Sequence, residues 1–291
     1  MPIRLPDSGR LAALHALGLR QVWLRREAVD AATLARSIPR LPGAPVPSTA
    51  AAAEPAAPTR PAAAPIRAAR GLTAAASPVA AEPRRGSAEP SAARLQRIAE
   101  LDLPQLAEFA RACHACKLGA QRRHAVPGVG HPQARVMVVG EAPGAEEDQR
   151  GEPFVGAAGR LLDNMLRAIG LARDATDPAH AVYIANVIKC RPPGNRNPED
   201  DEIAQCAPIL HRQIACVRPR LLLALGRFAA QTLTGSSEPI GRLRQQVLRH
   251  AGIPLVVSYH PAYLLRAPQD KAKSWADLCL ALDTLERDSS V

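Results

Sequence analysis

The chain has 291 residues, with 37 basic against 27 acidic side chains, a net charge of +10 and a sequence pI of about 10.0. That length gives room for one sizeable domain or two small ones, and the charge favours an anionic partner such as nucleic acid. No segment approaches the roughly 18 apolar residues a membrane span needs, and Arg4, Asp7 and Arg10 interrupt any signal-peptide core, so a cytoplasmic protein without a membrane partner is expected. Residues 1–37 carry +3, residues 38–92 carry +3, and residues 93–291 carry +4 from 25 basic and 21 acidic side chains. The C-terminal part is thus only mildly basic, and the placement of its arginines has to do the electrostatic work.

Along the chain, residues 10–36 read as a short helix with Leu11, Leu14 and Leu17 on one face, then a strand-like Gln21–Arg25. This segment (1–37) is too small to be a stable domain alone and is read either as a docking element or as a segment that packs back onto the main domain. Residues 38–92 hold 11 of the 28 prolines and long alanine runs. Such a segment cannot bury enough surface to offset its ordering entropy, so a disordered linker is expected. From 93 to 291 the pattern is that of a folded domain. Leu95, Ile98, Leu101, Leu106 and Phe109 predict helix. Arg135–Gly140, Val182–Ile188, Leu221–Gly226 and Leu255–Tyr259 are short apolar runs typical of buried parallel strands. Helices are expected over 158–170, 199–217, 228–233 and about 270–287. The alternation predicts an α/β fold, three layers with a mostly parallel four-stranded sheet. Ligands of such sheets lie beyond the carboxyl ends of the strands, where the distinctive motifs of this chain fall.

Four of the six cysteines are clustered. Cys113 and Cys116 form C-x2-C, while Cys190 and Cys206 are separated by 15 residues. In a reducing compartment this arrangement speaks for a metal centre rather than disulfides. Structural zinc usually takes two short pairs; the wide second pair fits an iron–sulfur cubane better, with ligands from separated segments. Cys216 and Cys279 stand in apolar surroundings and read as core residues. The second pair straddles a basic, proline-rich loop, Arg191–Pro198, in which Arg191 and Arg196 are expected to meet phosphates.

Three further motifs carry chemistry. Gly140-Glu-Ala-Pro-Gly144 makes a tight turn that lets backbone approach a ligand; it has neither the P-loop nor the dinucleotide glycine spacing. Asn186, inside an apolar strand, is costly unless hydrogen-bonded; it reads either as a satisfied structural amide or as one that reads a pyrimidine edge, its donor and acceptor matching uracil O4 and N3–H. His260 precedes Leu264, Leu265 and Arg266 on an expected loop, where apolar wedges beside a basic residue suit insertion into a base stack.

Together these motifs resemble the family 4 uracil-DNA glycosylases, iron–sulfur enzymes of bacteria and archaea. The resemblance spans about residues 95 to 285 and rests on Gly140–Gly144, Pro153-Phe-Val-Gly156, Asn186–Pro193, the four cysteines and Ser258-Tyr-His-Pro-Ala-Tyr263. It implies a [4Fe-4S] cluster on Cys113, Cys116, Cys190 and Cys206, and a nucleoid-associated repair enzyme acting on uracil-containing DNA, single- or double-stranded. Implied catalytic residues are His260, Glu141 and Asn186. Gly140, Glu141, Ala142, Phe154, Asn186 and His260 would bind uracil, with Phe154 stacking on it, and Glu147 would exclude thymine at C5. Arg191, Arg196, Leu264, Leu265 and Arg266 would touch DNA. Family 1 enzymes carry a water-positioning aspartate in this turn where Ala142 stands here. The alternative is an iron–sulfur uracil-DNA-binding or adaptor module without excision. A monomer is expected, with residues 1–92 open to a protein partner.

Overall fold

The computed structural model describes residues 90–288. The docking element, and the expected linker up to residue 89, lie outside the described residues. Helices α1 (Ala92–Glu100) and α2 (Leu103–Arg111) replace the single helix expected before the first cysteines. The break is local chemistry: Asp102 and Gln105 exchange side-chain-to-backbone hydrogen bonds of 2.9 and 3.0 Å as a capping box, and a proline lies in the first turn of α2.

The core is a six-stranded sheet in the order β1-β3-β2-β4-β6-β5. Its four central strands, β2 (Val136–Gly140), β3 (Val182–Asn186), β4 (Leu221–Leu225) and β6 (Ile253–Ser258), are parallel. They are the expected four. The sheet is extended by two antiparallel edge strands that the sequence reading lacked, β1 (Val129–Gly130) and β5 (Val247–His250). One is only two residues long, and the other alternates between exposed and half-buried, so neither shows an apolar run.

Successive side chains of β2, β3, β4 and β6 enter opposite faces, and each face has its own core. On one, Val138, Ile184, Leu223 and Val256 pack with α4 (Ala157–Ala168) and α9 (Lys271–Asp288). On the other, Val139, Ala185, Ala224 and Val257 pack with α5 (Asp200–Val217) and α6 (Arg227–Thr234). The expected three-layer α/β/α fold is therefore the one observed. Cys216 and Cys279, read as core, are only half-buried, because both sit on helices at the sheet's outer layers. Among the described residues no helix is long and apolar enough to cross a membrane.

The chain runs from β2 outward to β3, then returns across β2 to β4 and β6. The reversal leaves a crevice at the carboxyl ends of β2 and β4, the switch point at which open α/β sheets bind ligands.

A buried ion pair supports the segment after β6. Arg244 Nε donates to Asp277 Oδ2 at 2.7 Å, with the two side chains 5% and 0% exposed. The same guanidinium lies 4.3 Å from the centroid of Tyr259. Removing one partner of such a pair leaves an uncompensated buried charge. Arg244→Met should therefore cost about 3–5 kcal/mol of stability, read from urea unfolding.

Candidate active site

The crevice is a cavity of about 630 Å³, and each central strand sends residues into it. Glu141, Ala142 and Gly144 come from the turn after β2, Asn186 from the last position of β3, Arg227 from the start of α6, and Tyr259 and His260 from the end of β6. Phe154 closes one side, and Asn195–Asn197 of the loop between Cys190 and Cys206 closes another.

Gly140 makes the convergence possible. A Cβ there would fall 2.4 Å from Asn186 Oδ1 and 2.6 Å from Phe154 Cζ, so no other residue lets the amide and the ring meet. Asn186 is 1% exposed, and its Oδ1 has no hydrogen-bond partner among the described residues. A buried acceptor without a donor is costly, and this one lies in the cavity wall.

His260 caps helix α8 (Pro261–Arg266): its Nδ1 accepts the Ala262 N–H at 3.2 Å. A backbone N–H can only donate, so Nδ1 holds the lone pair and Nε2 carries the proton. Its ring stacks on Phe154 with centroids 5.5 Å apart. Burial pushes the imidazole down to about 4; Arg266 adds to the fall and Glu147 opposes it. The ring is thus neutral near pH 7, with a single N–H to offer.

The two glutamates of this region differ. Glu147 lies in α3 (Ala145–Arg150) and accepts the N–H groups of Gly144, Val155 and Gly156 at 3.1, 3.0 and 3.1 Å. Its carboxylate is spent on holding two walls of the cavity together. The Glu141 carboxylate accepts no hydrogen bond from the described residues, although its backbone carbonyl accepts the Ile188 N–H at 3.2 Å; burial raises its pKa, and nearby Arg227 pulls it back.

The expected DNA contacts need correcting in three places. The loop expected after His260 is a helix, begun by His260 as cap and Pro261 in the first turn. Leu264 faces inward from it, 0% exposed and packed in the core, so it cannot serve as a wedge; Leu265 at 45% exposure and Tyr263 at 37% face outward instead. Arg196 is not an unpaired cation, because it forks onto the fully buried Glu202 carboxylate at 2.9 and 2.5 Å, with its side chain 33% exposed. Arg191 and Arg266 remain outside such pairs; Arg191 donates to Asn195 at 2.7 Å.

The four clustered cysteines line one small cavity, with Lys189 and Arg122. Nitrogen donors face three of the sulfurs: Arg94 to Cys113 at 3.4 Å, Arg122 to Cys190 at 3.0 Å and the Lys189 amide to Cys206 at 3.3 Å. Such donors suit thiolates. Among the described residues no three ligand groups gather as around one ion; the thiols surround a space. Lys189, 1% exposed, escaped the sequence reading although a lysine in an apolar run beside a cysteine is a signal. Its ammonium donates to the Asn186 carbonyl at 2.5 Å, which joins the cysteine cavity to the active-site strand. Burial lowers its pKa to about 8, against the thiols of Cys206 and Cys190.

The low pKa of His260 has a consequence for folding. The unfolded chain protonates this residue near its ordinary pKa of about 6.5, whereas the folded chain does so only near 4. The group therefore withdraws stability as pH falls from about 6.5 to about 4. In His260→Gln the melting temperature should fall less steeply over that window than in the unaltered chain.

Comparison with known proteins agrees with this geometry. A family model described as the uracil DNA glycosylase superfamily matches residues 127–280. A type-4 uracil-DNA glycosylase of Pyrobaculum aerophilum is 41% identical over 188 residues, covering 62% of this chain and 93% of that protein. One of Archaeoglobus fulgidus is 43% identical over 165 residues, 54% of this chain and 80% of that protein. One of Thermotoga maritima is 40% identical over 163 residues, 55% of this chain and 82% of that protein. With the cavity at the switch point of its sheet and this degree of identity along its folded part, the chain belongs to the uracil-DNA glycosylase superfamily, in the type-4 branch.

Proposed function

We propose that this chain flips uracil out of DNA, hydrolyses its N-glycosidic bond and leaves an abasic site, the first step of base excision repair. One observation carries the reading: Phe154 and Asn186 meet at the space left by Gly140, and His260 stacks on Phe154 in the same cavity. Phe154 and His260 already lie as a ring pair, with centroids 5.5 Å apart and planes inclined by 29°, the spacing of rings in mutual contact, so no base fits between them. Uracil stacked on Phe154 would therefore meet His260 at its edge. Asn186 Oδ1 would accept N3–H and its amide group would donate to O4, a pattern that cytosine reverses.

In the reaction the C1′–N1 bond breaks, its electron pair leaves with uracil, and water adds to C1′. Negative charge gathers on uracil O2, where the Nε2–H of neutral His260 would donate. A neutral donor stabilises the leaving anion without surrendering its proton, the role of an oxyanion hole. Ala142 cannot orient water. Glu141 is the cavity carboxylate whose oxygens are uncommitted, and we assign it to the water or the uracil edge. Glu147, held by three backbone N–H groups, would stand as a fixed wall toward C5 and exclude thymine. Arg191, Leu265 and Arg266 would face the DNA.

We further propose that Cys113, Cys116, Cys190 and Cys206 hold a [4Fe-4S] cluster, supported by the common cavity of four thiols and their nitrogen donors. Bound there, it would supply cross-links among three chain segments. The loop it pins is a wall of the active site, and the Arg196–Glu202 fork fixes that wall from within.

Four outcomes test these proposals. Purified protein should create alkali-labile sites at uracil in a labelled oligonucleotide. His260→Ala should lower kcat by about 10²–10³-fold, and Asn186→Ala should lose the preference for uracil over cytosine. Absence of cleavage by unaltered protein that retains its brown colour would favour a binding module. Cys190→Ser should abolish the visible absorbance and open the 191–198 loop to trypsin after Arg196, since Pro192 blocks cleavage after Arg191; unaltered protein that is colourless yet equally protected at this loop would count against the cluster.

A further inference from the structure

We propose that Arg173, which does not line the cavity, is the residue that positions Phe154 for stacking on the flipped base. The proposal rests on the uracil-excision reading of the site. Phe154 has φ 55°, in the left-handed region that an aromatic side chain seldom occupies and that costs energy to hold. The strained residue is the aromatic ring of the cavity that faces Asn186 and His260. In a relaxed backbone the ring would leave the space beside Gly140.

Its surroundings hold that strain from both sides. Arg173 Nη2 donates to the Phe154 carbonyl at 2.9 Å and Nη1 to the Pro153 carbonyl at 3.0 Å. On the other flank the Glu147 carboxylate accepts the amides of Val155 and Gly156. A cation thus takes the carbonyls before the turn and an anion takes the amides after it, each matched in sign to the backbone dipoles. Arg173 is itself aimed: Nε donates to Asp163 at 2.8 Å and Nη1 reaches Glu152 at 3.4 Å, with the Arg173 side chain 16% exposed. Gly159 leaves room for this backbone path, since a Cβ there would fall 1.8 Å from the Phe154 carbonyl oxygen. A planar fork of five donors can meet two carbonyls and a carboxylate together; an ammonium cannot.

A positioning residue acts through the one it positions, and a double-mutant cycle detects that. Excision of uracil from an oligonucleotide is measured for the unaltered chain, Arg173→Ala, Phe154→Ala and the double variant, with melting temperature and visible colour recorded for each. Displacements near 1 Å cost up to about 100-fold, so R173A should lower kcat/KM by roughly that factor and weaken inhibition by free uracil. In the F154A background the same change should have little further effect. R173K should recover only part of the loss. Equal losses in both backgrounds, or no loss in either, would overturn the proposal. If R173A yields no folded protein, the cycle is run with Asp163→Asn, which leaves the guanidinium but removes its aim, and the same two patterns decide. Failure of the unaltered chain to excise uracil would instead refute the excision reading, a result distinct from additivity in the cycle.

Discussion

The missing side chain at Gly140 is the constraint on which the site depends. The last residue of β2 lies between Asn186 and Phe154, and any Cβ would meet both at less than 3 Å. Parallel pairing sets Gly140 level with Asn186 in the sheet. The register of two buried strands therefore delivers the amide, and the absence of one methyl group admits the ring. The strands themselves are fixed by apolar cores on both faces, so the position of Asn186 is determined by burial more than by any local hydrogen bond.

Around that point the protein keeps charges committed elsewhere. Glu147 is bound to three amides, Arg196 to Glu202, Arg173 to two carbonyls, and Lys189 to the Asn186 carbonyl. Glu147, Arg196 and Arg173 each tie one segment to another, while Lys189 turns back on the residue three before it. Among the described residues the Asn186 oxygen, the His260 N–H and the Glu141 carboxylate stay outside such bonds, as does Arg266 at the cavity edge. A cavity built this way pre-organises few groups and needs little rearrangement when charge develops. The cysteine cavity belongs to the same scheme, since its loop forms one wall and its lysine reaches the strand that carries Asn186.

Much of this was legible in the sequence, for identifiable reasons. The four parallel strands are continuous apolar runs because both faces are buried. The cysteines declared themselves by spacing, and Asn186 by being polar within an apolar run. Leu264 misled because Pro261 was read as part of a loop, whereas proline in a first turn behind a capping His260 begins a helix and turns that leucine inward. Arg196 misled because its partner Glu202 lies six positions on, inside the helix expected from 199, where the sequence does not show that its carboxylate turns back to the loop. Arg173 gave no signal at all. It stands 19 positions from Phe154, and its partners are backbone carbonyls, which no side-chain pattern reveals. The edge strands failed for want of length or of an apolar run.

The most direct measurement is a crystal structure of this chain with free uracil bound. The account predicts the ring stacked flat on Phe154, N3–H within hydrogen-bond distance of Asn186 Oδ1, and O2 facing Nε2 of His260. Uracil found elsewhere, or held in the crevice with Asn186 Oδ1 still unpaired, would contradict it.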